Sequence, residues 1–130
     1  MQECGKNHWP VYSHTLFDVG ATTKKFCELA RKNPNTNFVI GHMGFGPSDV
    51  TAFNLAKELD NVYLEASNAC FLAIKEAYRI AGPHKILFGS EFPMNNPEIQ
   101  LFQMKKMGLP SAEADMIFFK NAIKLIPSLA

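Results

Sequence analysis

The chain has 130 residues, of which 47% are apolar, and its 13 Lys and Arg residues nearly balance 12 Asp and Glu residues. This composition predicts one soluble domain covering residues 1–130, and a net charge of +1 argues against binding nucleic acid or an anionic membrane by bulk charge. The cysteines Cys4, Cys27 and Cys70 are far apart and form no CxxC pair, which argues against both a disulfide framework and a cysteine zinc site.

Four short apolar runs, rich in β-branched and aromatic residues, predict four β-strands. Each run ends in a small cluster of polar or glycine residues. The runs cover residues 10–14, 37–42, 61–67 and 85–90.

The segments between these runs have helical spacing and predict three helices. Their apolar stripes are Phe26, Leu29 and Ala30; Ala52, Leu55, Ala56 and Leu59; and Cys70, Ala73, Ile74, Ala77 and Ile80. We expect the first helix to end at Asn33-Pro34 and the third at Gly82-Pro83, and Ser48 to cap the second.

Two further helices are predicted after the fourth strand. The first lies around Ile99 to Met107 and ends at Gly108-Leu109-Pro110. The second starts near Ser111, and we expect one face to carry Met116, Phe119, Ile123 and Ile126.

The alternation of strands and helices predicts an α/β fold with parallel strands joined by right-handed crossovers. Two architectures fit this order, an open doubly wound sheet or part of a (β/α)8 barrel. A complete closed barrel does not fit, because it needs about 250 residues. In both, chemistry belongs at the carboxyl ends of the strands.

Two histidines and an acid fall at these strand ends and predict a metal site. His14 follows the first strand, His42 the second, and Glu91 lies just beyond the fourth. Imidazole and carboxylate groups suit zinc or a similar divalent ion, which would activate water or polarise a carbonyl. Glu65 and Ser67 end the third strand. For Glu65 the simpler expectation is a salt bridge or a cap of the next helix, and for Ser67 it is the N-cap of that helix.

A glycine-rich turn at Gly41 to Gly46 suggests a competing hypothesis, a phosphate-binding loop of a nucleotide site. Its spacing is GxxGxG rather than GxGxxG, and Pro47 follows it. The less specific interpretation, a tight turn, is therefore favoured.

Five segments together resemble the second half of the amidohydrolase superfamily, in the branch of aminocarboxymuconate semialdehyde and dihydroxybenzoate decarboxylases. They are PVYSHT at 10–15, FVIGHMG at 38–44, NVYLEAS at 61–67, KILFGSEFP at 85–93 and NAIKL at 121–125. The resemblance implies that this chain supplies strands five to eight of a TIM barrel, together with C-terminal helices.

The same resemblance implies roles for the strand-end residues. His14 matches a metal-binding histidine, His42 a histidine that contacts the catalytic water or substrate, and Glu91 the position of an aspartate that binds metal and activates water. Zinc is the expected ion, with manganese the second choice, and the activity is that of a metal-dependent hydrolase or a non-oxidative decarboxylase. Two departures stand out: the His-x-His pair of strand one is absent from this sequence, and Glu91 is one methylene longer than aspartate.

A small organic acid is the expected substrate, and Phe17, Met43, Phe45, Phe92 and Met94 are the candidate substrate-binding residues. Half a barrel leaves two strand edges unpaired, so we expect either a homodimer or a fragment of a longer chain. The alternative is a non-catalytic half barrel that acts as a structural subunit. The reduced cysteines favour a cytoplasmic location, and no apolar run is long enough to span a membrane.

Overall fold

A four-stranded parallel sheet forms the centre of the structure, a computed structural model that describes residues 2–16 and 20–126. The strands are β1 (Val11–Ser13), β2 (Phe38–Ile40), β3 (Val62–Glu65) and β4 (Ile86–Leu87), in the spatial order β1-β2-β3-β4. Tyr12 lies opposite Val39, which lies opposite Tyr63, and Glu65 lies opposite Leu87. The predicted strands and their parallel order are confirmed, although each strand is shorter than its apolar run.

Helices follow each strand and confirm the predicted alternation. Their bounds are α1 (Gln2–Lys6), α2 (Thr23–Lys32), α3 (Val50–Glu58), α4 (Phe71–Ala81), α5 (Pro97–Lys106), α6 (Ser111–Asp115) and α7 (Asn121–Leu125). Short 3-10 turns cover Gly41–Met43 and Pro83–Lys85. Helix α1 was not predicted. No helix among residues 2–16 and 20–126 is both long and apolar enough to cross a membrane.

The predicted helix ends are confirmed, but two predicted caps are wrong. Asn33 and Gly82 end α2 and α4, and Gly82 has the left-handed φ of +85° that glycine tolerates. Asp49, not Ser48, caps α3, because its carboxylate accepts the backbone N–H of Ala52 at 3.0 Å. Ser67 lies three residues too early to cap α4, which begins after Cys70.

The predicted buried face of the last helix is also wrong. Met116, Phe119 and Ile126 are exposed, and the buried residues are instead Ile117, Asn121 and Leu125. A π-helical segment at Met116–Lys120 joins α6 to α7. At about 3.6 residues per turn the two sets lie on opposite sides of the helix, so the spacing alone did not decide which side is buried.

The two faces of the sheet are covered differently. One face packs Phe38, Ile40, Val62, Leu64 and Ile86 against the helices in the main core. The other face carries a smaller cluster of Val39, Tyr63 and Leu87, covered by Leu125 of α7. Tyr12 belongs to this second face by register but is 49% exposed, so the face stays open on the β1 side.

Polar side chains hold the amino ends of the strands. The Asn61 amide donates to the carbonyls of Ala30, Asn33 and Thr36, and the Asn121 amide donates to those of Pro83 and Ile86. The buried Lys85 ammonium donates to the carbonyls of Leu59, Asp60 and Val62, and burial lowers the pKa of this lysine. This end of the sheet is thus built for stability, which leaves the carboxyl end for chemistry.

Candidate metal centre

Three of the predicted residues come together at the carboxyl ends of the strands. His14, His42 and Glu91 each place one ligand atom so that all three atoms lie within 4.8 Å of one another. The two imidazole rings have centroids 4.2 Å apart, and His42 Nε2 lies 3.4 Å from Glu91 Oε1. The strand-end rule therefore identified side chains that are neighbours in space.

A missing side chain at Gly41 makes room for this cluster. A Cβ at Gly41 would lie 2.5 Å from the Tyr12 hydroxyl and 2.7 Å from His14 Cδ2. Contacts under 3.0 Å force a shift in the neighbouring groups, so only glycine lets β1 project both side chains over the start of the next turn.

Two residues of the cluster have left-handed backbone. His42 has φ +56° and Glu91 has φ +58°, a region that non-glycine residues rarely adopt. Such conformations cost about 1–3 kcal/mol each and concentrate at functional sites. Here they turn the side chains that follow β2 and β4 toward one point.

The contacts of His42 define which ring nitrogen faces the cluster. His42 Nδ1 lies 2.9 Å from the carbonyl oxygen of Ser67 and 3.1 Å from its hydroxyl oxygen. A carbonyl only accepts, so Nδ1 carries the proton and donates it. In a neutral ring, Nε2 then presents a lone pair to the Glu91 carboxylate. His42 Nε2 and Glu91 Oε1 are then two acceptors 3.4 Å apart, which repel each other unless a cation or a shared proton lies between them.

Glu65 lies directly beneath this cluster, and both sequence expectations for it are wrong. Among the described residues it neither forms a salt bridge nor caps a helix. Its carboxylate is buried and accepts hydrogen bonds from the Tyr12 hydroxyl at 2.9 Å, the Ser67 hydroxyl at 2.7 Å and the Ser67 backbone N–H at 2.7 Å. Burial, together with the Glu65 charge, raises the pKa of Tyr12, which keeps its phenol protonated as a donor.

Sequence reasoning overlooked Tyr12 and assigned Ser67 the wrong role, although one signal was present. Tyr12 precedes His14 by two residues, and the strand period of two places both side chains on the same face. The strand period of two likewise places the Glu65 side chain on the same face of the sheet as Tyr63.

The predicted substrate-binding residues are scattered. Phe92 and Met94 are 74% and 82% exposed in the loop after β4. Phe45 lines a groove between α2 and α3 whose other walls include Leu16 and Val50 but none of the three cluster residues. Phe17 lies outside the described residues.

Met43, predicted to bind substrate, lies in the core instead of at the cluster. Its side chain is 1% exposed and packs in the main core among the helices. Its φ of +59° turns it away from the neighbouring His42, so that one side chain of the turn faces the cluster and the next faces the core.

The glycine-rich turn is occupied by a side chain of its own chain. The Asp49 carboxylate accepts the backbone N–H of Phe45 at 3.2 Å and the Thr23 hydroxyl at 2.7 Å, besides capping α3. Gly44 is required there, because a Cβ would lie 2.5 Å from the Asp49 Cβ. An anionic group already sits where a phosphate would have to bind, so the turn interpretation is favoured over the nucleotide site.

Comparison with known proteins identifies the family and the fold of the chain. A family model described as amidohydrolase matches residues 1–127. No curated protein matches the chain in sequence. A TIM-barrel protein from Bordetella bronchiseptica superposes with a TM-score of 0.74 at 20% identity, over 97% of this chain and 48% of that one.

Two further solved structures contain metal ions. A dihydroxybenzoic acid decarboxylase from Polaromonas, with bound manganese and the inhibitor 2-nitroresorcinol, has a TM-score of 0.72 at 16% identity over 99% of this chain and 53% of its own. An amidohydrolase from Burkholderia multivorans with bound zinc has a TM-score of 0.69 at 15% identity, over 95% and 54%. This chain thus spans about half the length of the structures it matches, and the predicted half of a TIM barrel is confirmed.

Proposed function

Because the chain belongs to the amidohydrolase family, we propose that His14, His42 and Glu91 hold a divalent metal ion for hydrolysis or non-oxidative decarboxylation of a small organic acid. The observation that carries the proposal is the meeting of the three ligand atoms within 4.8 Å at the carboxyl ends of three strands. Two imidazoles and one carboxylate suit zinc, and manganese is the second choice.

The residues fit such an ion in three respects. His42 Nε2 is the unprotonated nitrogen of a neutral ring, as a metal ligand must be, because Nδ1 donates to Ser67. Glu91 reaches His42 despite its extra methylene, with its left-handed backbone setting the direction. Three protein ligands leave coordination positions open for water and substrate, as in catalytic rather than structural sites.

A bound ion would supply a Lewis acid that activates water or polarises a substrate oxygen. The side chains would do the rest. His14, His42 and Glu91 would hold the ion, and the Glu91 carboxylate oxygen that the ion leaves free would accept or return a proton as a general base. Phe92 and Met94, exposed next to Glu91, would offer apolar contacts to a planar acid.

Zinc binding to the full 130-residue chain tests this proposal. We expect about one zinc per cluster in calorimetry. His14→Asn should weaken binding by more than about 100-fold, since changes outside the ligand set alone cost 10–100-fold. His8→Asn is the matched control, because His8 lies before β1 at the opposite end of the sheet. Equal zinc affinity in both variants would exclude the assigned cluster.

A second candidate, a non-catalytic half barrel, is favoured by one observation. All four histidines of the sequence are accounted for at positions 8, 14, 42 and 84, and none forms a His-x-His pair. Under this hypothesis neither zinc nor manganese binds tightly, and decarboxylation of a dihydroxybenzoate is absent with either ion. Tight metal binding without turnover would indicate that a second half must complete the site.

We further propose that the open side of the sheet is closed by another half barrel. Among the described residues, β1 and β4 each pair on one side only, and unpaired parallel edges invite association. The half-exposed Tyr12 on the inner face supports this arrangement. Light scattering after size-exclusion chromatography should give twice the 14.5 kDa chain mass. A monodisperse monomer would contradict closure by a second copy.

A further inference from the structure

Within residues 2–16 and 20–126, the hydrogen-bond partners of the buried Glu65 carboxylate are all neutral donors. Besides Tyr12 and Ser67, the backbone N–H of His42 approaches its Oε2 at 3.4 Å. The space for this group depends on the neighbouring strand, because a Cβ at Gly89 would lie 1.6 Å from Glu65 Oε1. Its Oε1 accepts the Ser67 backbone N–H and its Oε2 accepts the Tyr12 and Ser67 hydroxyls, so both oxygens act as acceptors.

These acceptors set the direction of the Tyr12 and Ser67 hydroxyl hydrogens. The Ser67 hydroxyl has one hydrogen, which it donates to Glu65 Oε2 at 2.7 Å. Toward His42 the same hydroxyl oxygen can then only accept. Both Ser67 oxygens near His42 Nδ1, the carbonyl at 2.9 Å and the hydroxyl at 3.1 Å, are therefore acceptors, and Nδ1 must donate.

We infer that Glu65 is a positioning residue that, through Ser67, holds His42 in the Nδ1–H form with the Nε2 lone pair facing His14 and Glu91. Its contact with the His42 backbone N–H also stabilises the left-handed conformation at φ +56° that turns the ring toward the cluster. The expected effect of Glu65 on metal binding rests on the proposed function. Its structural content concerns the chain alone.

Replacing the carboxylate by an amide should release this order. In Glu65→Gln the new NH2 group can donate to the Ser67 hydroxyl, which frees the hydroxyl hydrogen to point at His42 Nδ1. Only the Ser67 carbonyl then still requires a donor from the ring. We expect the Nε2–H form of His42, minor in the wild type, to reach a population comparable with the Nδ1–H form.

Nitrogen-15 NMR of the imidazoles in the metal-free full chain measures this directly. Spectra are recorded over a pH series, and the tautomer is read where the His42 signals no longer change with rising pH. His42→Gln identifies the signal. The wild type should show Nδ1–H at His42, and a predominant Nε2–H form would overturn the inference without any Glu65 variant.

Glu76→Gln is the matched control for Glu65→Gln. The Glu76 carboxylate also accepts a hydroxyl hydrogen bond at 2.7 Å, from Ser48, but does not contact His42. Glu65→Gln should weaken zinc binding about 10- to 100-fold, and Glu76→Gln should leave it within about twofold. Glu65→Asp, which keeps the charge, should retain the Nδ1–H form. Circular dichroism checks that each variant is folded, and if Glu65→Gln is not, the wild-type spectrum and Glu65→Asp decide.

The two proposals fail in different ways. A wild-type chain that binds no zinc but shows a Glu65-dependent Nδ1–H form refutes the metal function and supports the positioning role. The other outcome is a wild-type chain that binds zinc through His14 and a folded Glu65→Gln variant with the same His42 tautomer and the same zinc affinity. That outcome refutes the positioning role alone.

Discussion

Substitution of Gly89 by alanine tests whether the fold is built around the Glu65 carboxylate. The added Cβ would lie 1.6 Å from Glu65 Oε1 and 2.7 Å from Glu65 Cδ. The first of these is close to a covalent distance. The φ of Gly89 lies outside the left-handed range, so the substitution costs space and not backbone freedom. The carboxylate must leave its place, or the end of β4 must move.

Either response has a calculable cost. Overpacking a buried site costs about 1–3 kcal/mol, and each lost hydrogen bond to a charged group costs about 1.5–3 kcal/mol. Displacement of the carboxylate removes at least the Ser67 backbone bond at 2.7 Å. We therefore expect a loss of about 3–5 kcal/mol in the free energy of unfolding. At about 4 °C per kcal/mol for a chain of this size, the Tm should fall by about 12–20 °C.

Thermal unfolding followed by circular dichroism measures this loss, and Gly46→Ala is its control. Gly46 has φ +81° with no atom within 4 Å of the added Cβ, so it bears only the left-handed cost of about 1–2 kcal/mol. Calorimetry should also find zinc binding weakened in Gly89→Ala but not in Gly46→Ala. A Gly89→Ala chain as stable as the Gly46→Ala chain, with unchanged zinc affinity, would refute the reasoning.

Three further outcomes are expected. Asp49→Ala removes a helix cap and two other hydrogen bonds, so the free energy of unfolding in urea should fall by about 2–3 kcal/mol. Zinc affinity should stay unchanged, and a change in it would show that the glycine turn is coupled to the cluster. Asn121→Ala leaves two carbonyls of the amino end without their donor, and a loss of about 2–3 kcal/mol should appear in the same assay; a loss under about 0.5 kcal/mol would contradict it. Burial raises the pKa of Cys27 to about 11, so at about pH 8 only about 0.1% of this thiol is thiolate. A thiol reagent should label the exposed Cys70 rapidly and Cys27 only on unfolding, and equal labelling rates would exclude the burial of Cys27.

Much of the site was predictable because it follows from local periodicity and one topological rule. Four apolar runs separated by helical segments place the carboxyl ends of parallel strands on one side, and His14, His42 and Glu91 occupy those ends. Prediction failed where tertiary packing or a left-handed backbone decided which side chains are buried. The last helix buries Ile117 and Leu125 rather than the predicted apolar face, and the left-handed turn places Met43 in the core.

By itself, then, the sequence determined the parallel order of the strands and the three side chains, His14, His42 and Glu91, that meet at their carboxyl ends. Only the tertiary structure decided what Glu65 does. Its environment is built from Tyr12 on β1, the turn after β2 and the missing side chain of Gly89 beyond β4, which come from separate strands. Periodicity along one segment reports the face on which a side chain lies, whereas the space and the hydrogen-bond donors that it meets there are set by residues distant in the chain.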